Sequence, residues 1–202
     1  NRCLVGSEMC IRDRNIPEAT KYYQNCIEQG IKDCRVFSNY GIILNKLGKL
    51  KDAELSYRKA IELNPNFAIC HANLGDLLRD LGKLKDSEFH TRKAIEINPN
   101  YAIAQSNLGD LLRDLGKLKD SEFHTRKAIE INPNYAIAHS NLGDFLRDHG
   151  NLKDAEVSAR KAIALNPNYA IAHCNLGNIL SDLGKLKEAE ISQRKAIALK
   201  PD

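Results

Sequence analysis

NLGDLLRDLGKLKDSEFHTRKAIEINPNYAIA, residues 73–104, returns letter for letter at residues 107–138, 34 positions later. Looser copies flank the pair at the same spacing. A fixed period of this length marks a stacked array of supersecondary units rather than one closed core. The prolines count it out: Asn64-Pro65, Asn98-Pro99, Asn132-Pro133 and Asn166-Pro167 are 34 apart, and Lys200-Pro201 continues them. Two glycine series keep step, Gly41 to Gly177 and Gly48 to Gly184. Two small-residue series do the same, Ala60 to Ala196 and Ala53 to Ala189.

Within one unit the pattern predicts two helices. Leu74, Leu77, Leu78 and Leu81 fall at i, i+3, i+4 and i+7, the stripe of a helix over about Ala68 to Leu81. Gly82 follows at the place of a left-handed cap, which glycine adopts without steric cost. A second helix runs from about Lys85 to Ile97, with Ser87, Ala94 and Ile95 on one face, and Asn98-Pro99 stops it. Short connections make the two helices antiparallel. Gly75 and Gly109 sit mid-helix, where glycine costs ~1 kcal/mol against alanine. Repeating that cost in every unit implies a helix–helix approach too close for a methyl group.

These residues resemble the tetratricopeptide repeat family. The marks are the NLG triplet, the glycine before the turn, the small residue early in the second helix, the alanine late in it, and the boundary proline. The resemblance implies an all-α fold, an α-solenoid of antiparallel helix pairs wound as a right-handed superhelix. It covers residues 34–202 as five units: 34–67, 68–101, 102–135, 136–169 and 170–202. Residues 15–33 read as the lone second helix of a truncated unit, since Ala19, Tyr23 and Cys26 lie 34 before Ala53, Tyr57 and Ala60. The GKLKDAE and RKAIELNPN phrases are similar to tetratricopeptide proteins of marine cyanobacteria. The chain departs from the family where Tyr23 and Tyr57 give way to Thr91, Thr125, Ala159 and Gln193. It departs again where Phe37, His71, Gln105, His139 and His173 fill a slot that is usually aromatic. Both departures predict looser packing between helices.

The ends break the pattern. Gly6, Cys10 and Asp13 stand where a preceding first helix needs apolar residues, and GSEMCIRDR resembles translated sequencing adapter. Residues 1–14 are therefore expected to be non-native or disordered. After Asp202 no polar cap follows. Ala189, Ala196 and Ile197 are expected to face solvent, which would permit self-association through the last unit and suggests a fragment of a longer protein.

On a helical wheel the arc opposite the leucine stripe delivers repeated rows. They are an Asn row (Asn39, Asn73, Asn107, Asn141, Asn175), an Asp row (Asp76, Asp110, Asp144) and an Arg row (Arg79, Arg113, Arg147). A second acidic row is Asp80, Asp114, Asp148 and Asp182. In the family the first helices line the concave groove, so the resemblance places these rows there. An amide both donates and accepts, so an Asn ladder can hold an extended peptide backbone with little regard to its side chains. The row resembles the Asn ladder in the tetratricopeptide groove of O-linked N-acetylglucosamine transferase. The competing reading is that each Asn bonds to the neighbouring unit and sets the stacking. Asp76 and Arg79 can pair along one helix, and the same groups can form ladders between units; a groove selecting mixed or basic peptides is the alternative. Because the two copies are identical, a ligand could dock in either register, one unit apart. The cationic clamp for chaperone tails seen in some relatives needs Lys or Arg before the Asn. Ser38, Ala72, Ser106, Ser140 and Cys174 stand there instead, which argues against that ligand.

Other chemistry is not indicated. The 30 basic and 26 acidic residues interleave, for a net charge of +4, so no basic stripe points to nucleic acid. No apolar run approaches the ~20 residues of a membrane span, and no signal segment opens the chain. The six cysteines form no CxxC pair; isolated thiols fit a reducing, cytoplasmic setting. His71, His139 and His173 lie too far apart to share an ion and are expected to fill space between helices, so neither a metal nor a cofactor is expected. No nucleophile with a base is present and no enzyme activity is expected of this chain. Leu55, Phe89, Phe123, Val157 and Ile191 either pack against the next unit, the expected outcome, or make a convex apolar strip. The favoured function is a scaffold holding an extended peptide or partner segment. The runner-up, implied by relatives of this texture, is the targeting region of a larger glycosyltransferase- or sulfotransferase-type enzyme.

Overall fold

The computed structural model describes residues 16–200, and all the regular structure in them is helical. They fall into two compact units that divide between Pro99 and Asn100. The first holds α1 (Ile16–Glu28), α2 (Cys34–Lys46), α3 (Leu50–Leu63), α4 (Ala68–Asp80) and α5 (Leu84–Ile97). The second holds α6 (Ala102–Asp114), α7 (Leu118–Ile131), α8 (Ala136–Asp148), α9 (Leu152–Leu165), α10 (Ala170–Asp182) and α11 (Leu186–Leu199). The all-α array of antiparallel pairs is thus as the 34-residue period requires. Residues 1–14, expected to be non-native, lie outside the described residues.

Each pair is closed by the same turn. At the end of α4, Gly82 takes φ +72°. Its N–H donates to Arg79 O at 2.9 Å, and the Lys83 N–H reaches back to Leu78 O at 2.8 Å. These are the two bonds that satisfy the last carbonyls of a helix when the chain reverses. The exit from a second helix is closed by side chain. Asn64, Asn132 and Asn166 each accept, through Oδ1, the backbone N–H two residues on, at 3.1 to 3.2 Å. The proline between locks its φ, so the turn is set on both sides.

The core is the leucine stripe pressed on small residues. Leu74, Leu77 and Leu78 of α4 and Leu108, Leu111 and Leu112 of α6 are at most 1% exposed, as are Ala94 and Ala128 facing the same seams. Burying each leucine side chain contributes ~1.5–3 kcal/mol. The mid-helix glycines let the pairs close. A Cβ on Gly109 would lie 3.1 Å from Ser121 O and 3.2 Å from Thr125 N, both backbone atoms. At Gly41 the obstruction is instead the buried Tyr57 ring, at 2.7 Å. Where Thr125 replaces that tyrosine, its Oγ1 would stand 2.5 Å from a Gly109 Cβ; where Ala159 does, the nearest atoms to a Gly143 Cβ are Ala155 O and Ala159 N, at 3.2 Å. Thr125 and Ala159 are themselves buried, at 3% and 0% exposed.

Two expectations fail. Ala189 does not face solvent: it is 4% exposed, because its face of α11 turns to Gly177 of α10, whose Cβ would stand 3.3 Å from Ala189 O. Ile197 of the same helix is 63% exposed. Leu55, Phe89, Phe123, Val157 and Ile191 do not pack against the next unit. All are 63–68% exposed, because they sit on the flank of each second helix opposite its alanine seam.

Candidate functional site

The rows sit on the first helices of the pairs. Every member of the Asn, Asp and Arg rows is half-buried, and the second acidic row, Asp80 to Asp182, is exposed. In the second unit they are wired together. Asn141 of α8 donates both amide hydrogens to α6, to Asp110 Oδ2 at 2.8 Å and to Ser106 Oγ at 3.3 Å. Asn175 of α10 donates to Ser140 Oγ of α8 at 3.2 Å. Asn107 occupies the same place on α6. Arg113 meets Asp144 Oδ2 of the next first helix at 2.5 Å. Arg147 contacts Asp144 at 3.4 Å and Asp148 at 3.2 Å, and reaches Asp182 of α10 at 3.7 Å. Ser106 and Ser140, one residue before each Asn, enter the site only in the structure. Their role depends on the register between successive helices, and the only signal visible in the sequence is the absence of a cation in that slot.

In the first unit the rows meet different neighbours. Asn39 lies on α2, and Asn73, Asp76 and Arg79 on α4. Asp76 and Arg79 pair along their own helix at 3.5 Å. Burial pushes the Asp76 carboxyl above its ordinary range, against the pull of Arg79 and with a further push from Asp80. Of the two slots that accept from Asn141, the carboxylate slot opposite Asn73 holds Ile42, which has no acceptor, the serine slot holds the buried Ser38, and the Arg slot below holds Asn45.

The second unit's arc is acidic. Asp110, Asp114, Asp144, Asp148 and Asp182 face two guanidiniums, Arg113 and Arg147. Tyr169, the residue before α10, joins it: burial and then the Asp110 charge raise its phenol above the ordinary value. A helical wheel misses this aromatic, because Tyr169 lies in the turn.

The histidines serve the fold. His71, His139 and His173 each place Nε2 2.9–3.0 Å from the carbonyl of the boundary proline before them, Pro65, Pro133 and Pro167. His71 also meets His90 Nδ1 to Nδ1 at 3.0 Å, both rings buried. With Nε2–H given to Pro65, His71 Nδ1 is the acceptor and His90 the donor. Among the described residues no group of three or more His, Cys, Asp or Glu is gathered as a metal site requires, and Cys26, Cys34, Cys70 and Cys174 are free thiols. No described helix is long and apolar enough to cross a membrane.

The paired helices, the glycine turns and the periodic seam are matched by family profiles. One described as TPR repeat covers residues 41–82, and two described as tetratricopeptide repeat cover residues 68–101 and 102–135 and residues 124–157 and 159–191. The chain belongs to the tetratricopeptide repeat family. As a family member it is an interaction module, and no enzyme family is matched by these profiles. Among curated proteins it is similar to the Hsp70-Hsp90 organizing protein of Triticum aestivum, 39% identical over 62 residues, 31% of this chain and 10% of that protein. The Hsp70-Hsp90 organizing protein 1 of Glycine max is 35% identical over 63 residues, 31% of this chain and 11% of that one. The chain thus spans about a tenth of these relatives. Among solved structures, TTC0263 of Thermus thermophilus, described as a thermophilic TPR protein, superposes with a TM-score of 0.75 at 22% identity, over 84% of this chain and 92% of that one. A chain of the APC/C hetero-tetramer Cut9-Hcn1 gives a TM-score of 0.91 at 15% identity, over 99% and 40%. YrrB, described as a TPR protein with an unusual peptide-binding site, gives 0.58 at 24% identity, over 89% and 93%. At these identities the likeness concerns the fold.

Proposed function

We propose that this chain is a non-catalytic scaffold that holds an extended peptide along the arc of its first helices and prefers basic side chains. The observation that carries this is the acidic edge of α8 and α10, where Asp144, Asp148 and Asp182 converge on the single guanidinium of Arg147. The amide row contributes differently than a simple ladder would. Both N–H groups of Asn141 are engaged by α6, so its Oδ1 is the group offered to a ligand, and it accepts a peptide N–H. Lysine or arginine side chains of the ligand would then pair with Asp148 and Asp182 on the exposed edge, sharing them with Arg147. The stacking bonds and the peptide grip are compatible: the first fixes the amides that the second uses. The slots before each Asn carry serine, alanine or cysteine, and Ser106 and Ser140 are occupied by stacking bonds. The cationic clamp is therefore not part of the proposal, although the curated relatives are named as Hsp70-Hsp90 organizing proteins.

The test compares two fluorescein-labelled peptides, alternating Lys-Ala and alternating Glu-Ala, by fluorescence polarisation. The basic peptide should bind at least tenfold more tightly at low salt and weaken as salt is added. Replacing Asn107 and Asn141 together by alanine should weaken it further, while stability falls by no more than the ~1–3 kcal/mol that losing the two stacking bonds of Asn141 accounts for. Equal binding of both peptides sinks the electrostatic reading. A large fall in the midpoint with unchanged binding makes the amides stacking groups only.

A further inference from the structure

The outer side of the second unit carries a groove that the inner arc does not use. It lies between the second helices α7 and α9, floored by α8, and encloses about 460 Å³. Ile129, Leu142 and Val157 line it with His139, Ser158 and Lys161. Val157 is 68% exposed, so the groove opens directly to solvent. The first unit has its counterpart between α1 and α3 over α2, about 340 Å³, with Ile27, Tyr40, Leu55, Ser56 and Lys59 in the matching slots.

One residue sets how much room the slot leaves. Ser56 and Ser158 are small. In the same slot on α5 stands His90, which is 9% exposed and whose ring fills the space above α4 while bonding to His71. A second residue decides the charge. Lys59, Lys93 and Lys127 are each tied to the glutamate three residues on, Glu62, Glu96 and Glu130, at 2.7 to 2.9 Å. Lys161 has Ala164 in that position. The other charges lining its groove are engaged: Arg126 with Glu122 at 2.8 Å, and Glu130 with Lys127 at 2.9 Å. The α7–α9 groove therefore combines an open apolar floor with an ammonium that lacks its i+3 carboxylate, and the α1–α3 groove does not.

We infer that the groove between α7 and α9 docks a segment of another protein that presents an aliphatic or aromatic side chain with a carboxylate within one helical turn of it. The apolar group sits on Ile129, Leu142 and Val157, where its burial supplies the affinity. The carboxylate pairs with Lys161, which orients the segment and rejects basic ones. This surface is separate from the inner arc and takes the opposite charge, so the two sites bind independently.

The experiment pans phage-displayed random nonapeptides on the full chain, then measures synthetic copies of the recovered sequences by polarisation. Recovered peptides should carry Asp or Glu within four residues of Leu, Ile or Phe. Ser158→His should weaken them at least tenfold. That variant sets an imidazole beside His139, which already bonds to Pro133 as His71 bonds to Pro65, so the fold has a precedent for it within this chain. Lys161→Glu, a solvent-facing change that leaves packing untouched, should weaken them equally, while the Asn107 and Asn141 double variant should not. The proposal is overturned if no recovered peptide distinguishes the wild-type chain from Ser158→His, or if Lys161→Glu has no effect. A concentration-dependent dimer in sedimentation that Ser158→His abolishes would assign the groove to a second copy and overturn it as well.

Discussion

Replacing Gly109 by alanine sets two effects of known size against each other. In a free helix the change gains ~1 kcal/mol, because glycine loses more backbone freedom on folding. In this helix pair the new methyl carbon would stand 2.5 Å from Thr125 Oγ1, 3.1 Å from Ser121 O and 3.2 Å from Thr125 N. The hydroxyl cannot simply swing away, since it is bonded to Ser121 O at 2.9 Å. The backbone atoms can move only if α6 and α7 separate, which uncovers the leucine seam beneath. Overpacking of this kind costs ~1–3 kcal/mol, so Gly109→Ala should lose ~0–2 kcal/mol net. Removing the hydroxyl as well, with Thr125→Ala, eliminates the shortest contact but leaves both backbone atoms in place. The double variant should therefore recover only part of the loss. Guanidinium unfolding followed by far-UV circular dichroism reads the midpoint for each. A gain of the full ~1 kcal/mol for Gly109→Ala, or complete recovery in the double variant, would show that the helices are not held at backbone contact.

Two further perturbations follow from the same geometry. Burial, with the charges of His71 and Arg58, pushes His90 down to about 4, and burial lowers His71 too; Asp86 and Glu54 oppose it at His90, while Lys93 adds to it at His71. The unfolded chain then binds more protons than the folded one between about pH 6.5 and pH 4, so stability should fall as pH is lowered through that window. His90→Ser should flatten the profile, and an unchanged midpoint-against-pH curve for the wild-type chain would refute the reading. Asn141→Asp would set a carboxylate against Asp110 Oδ2, where an amide hydrogen now bonds at an N···O distance of 2.8 Å. With both groups half-exposed the cost at neutral pH is ~1–3 kcal/mol. It should shrink below about pH 5 as one carboxyl takes up a proton and donates it to the other. Equal midpoints for Asn141→Asp and Asn141→Ala at pH 7 would rule the Asp110 bond out as a stacking contact.

The fold is legible in the sequence because its determinants are local or periodic. Gly82 needs positive φ whatever surrounds it, Pro65 stops a helix by its own ring, and the leucine stripe shows in any window of two turns. The rows of Asn, Asp and Arg are equally visible, since one wheel places them. What they bond to is not, because Asn141 reaches Ser106 and Asp110 only through the stagger of successive first helices. The same limit explains the two misplacements. Ala189 looks exposed when only a following unit is considered as its cover, whereas its own pair covers it. The Leu55-to-Ile191 series invites a neighbour by its apolar character, whereas second helices meet their neighbours on another flank. His71 and His90 are 19 residues apart and read as separate slots, because nothing in either residue signals a shared hydrogen bond.

The histidine pairs also show how a repeat array can change its surface without changing its fold. The second-helix slot holds Ser56, His90, His124, Ser158 and Ser192. A histidine there requires an acceptor across the pair: His90 finds His71 Nδ1, and His124 finds Gln105 Oε1 at 2.7 Å. Grooves lie beside the serines at Ser56 and Ser158. Since each pair contacts only its neighbours, either choice is confined to one place along the array. His90→Ser should consequently open a groove between α3 and α5, yet that groove would remain a poor site for an acidic segment, because Lys93 is held by Glu96 at 2.7 Å. Adding Glu96→Ala should free the lysine and confer the binding that the α7–α9 groove is proposed to have. Transfer of acidic-peptide binding by these two substitutions, far from the inner Asn row, would separate the outer surface from the inner one, and failure to transfer it would mean that more than an open floor and an unpaired ammonium is needed.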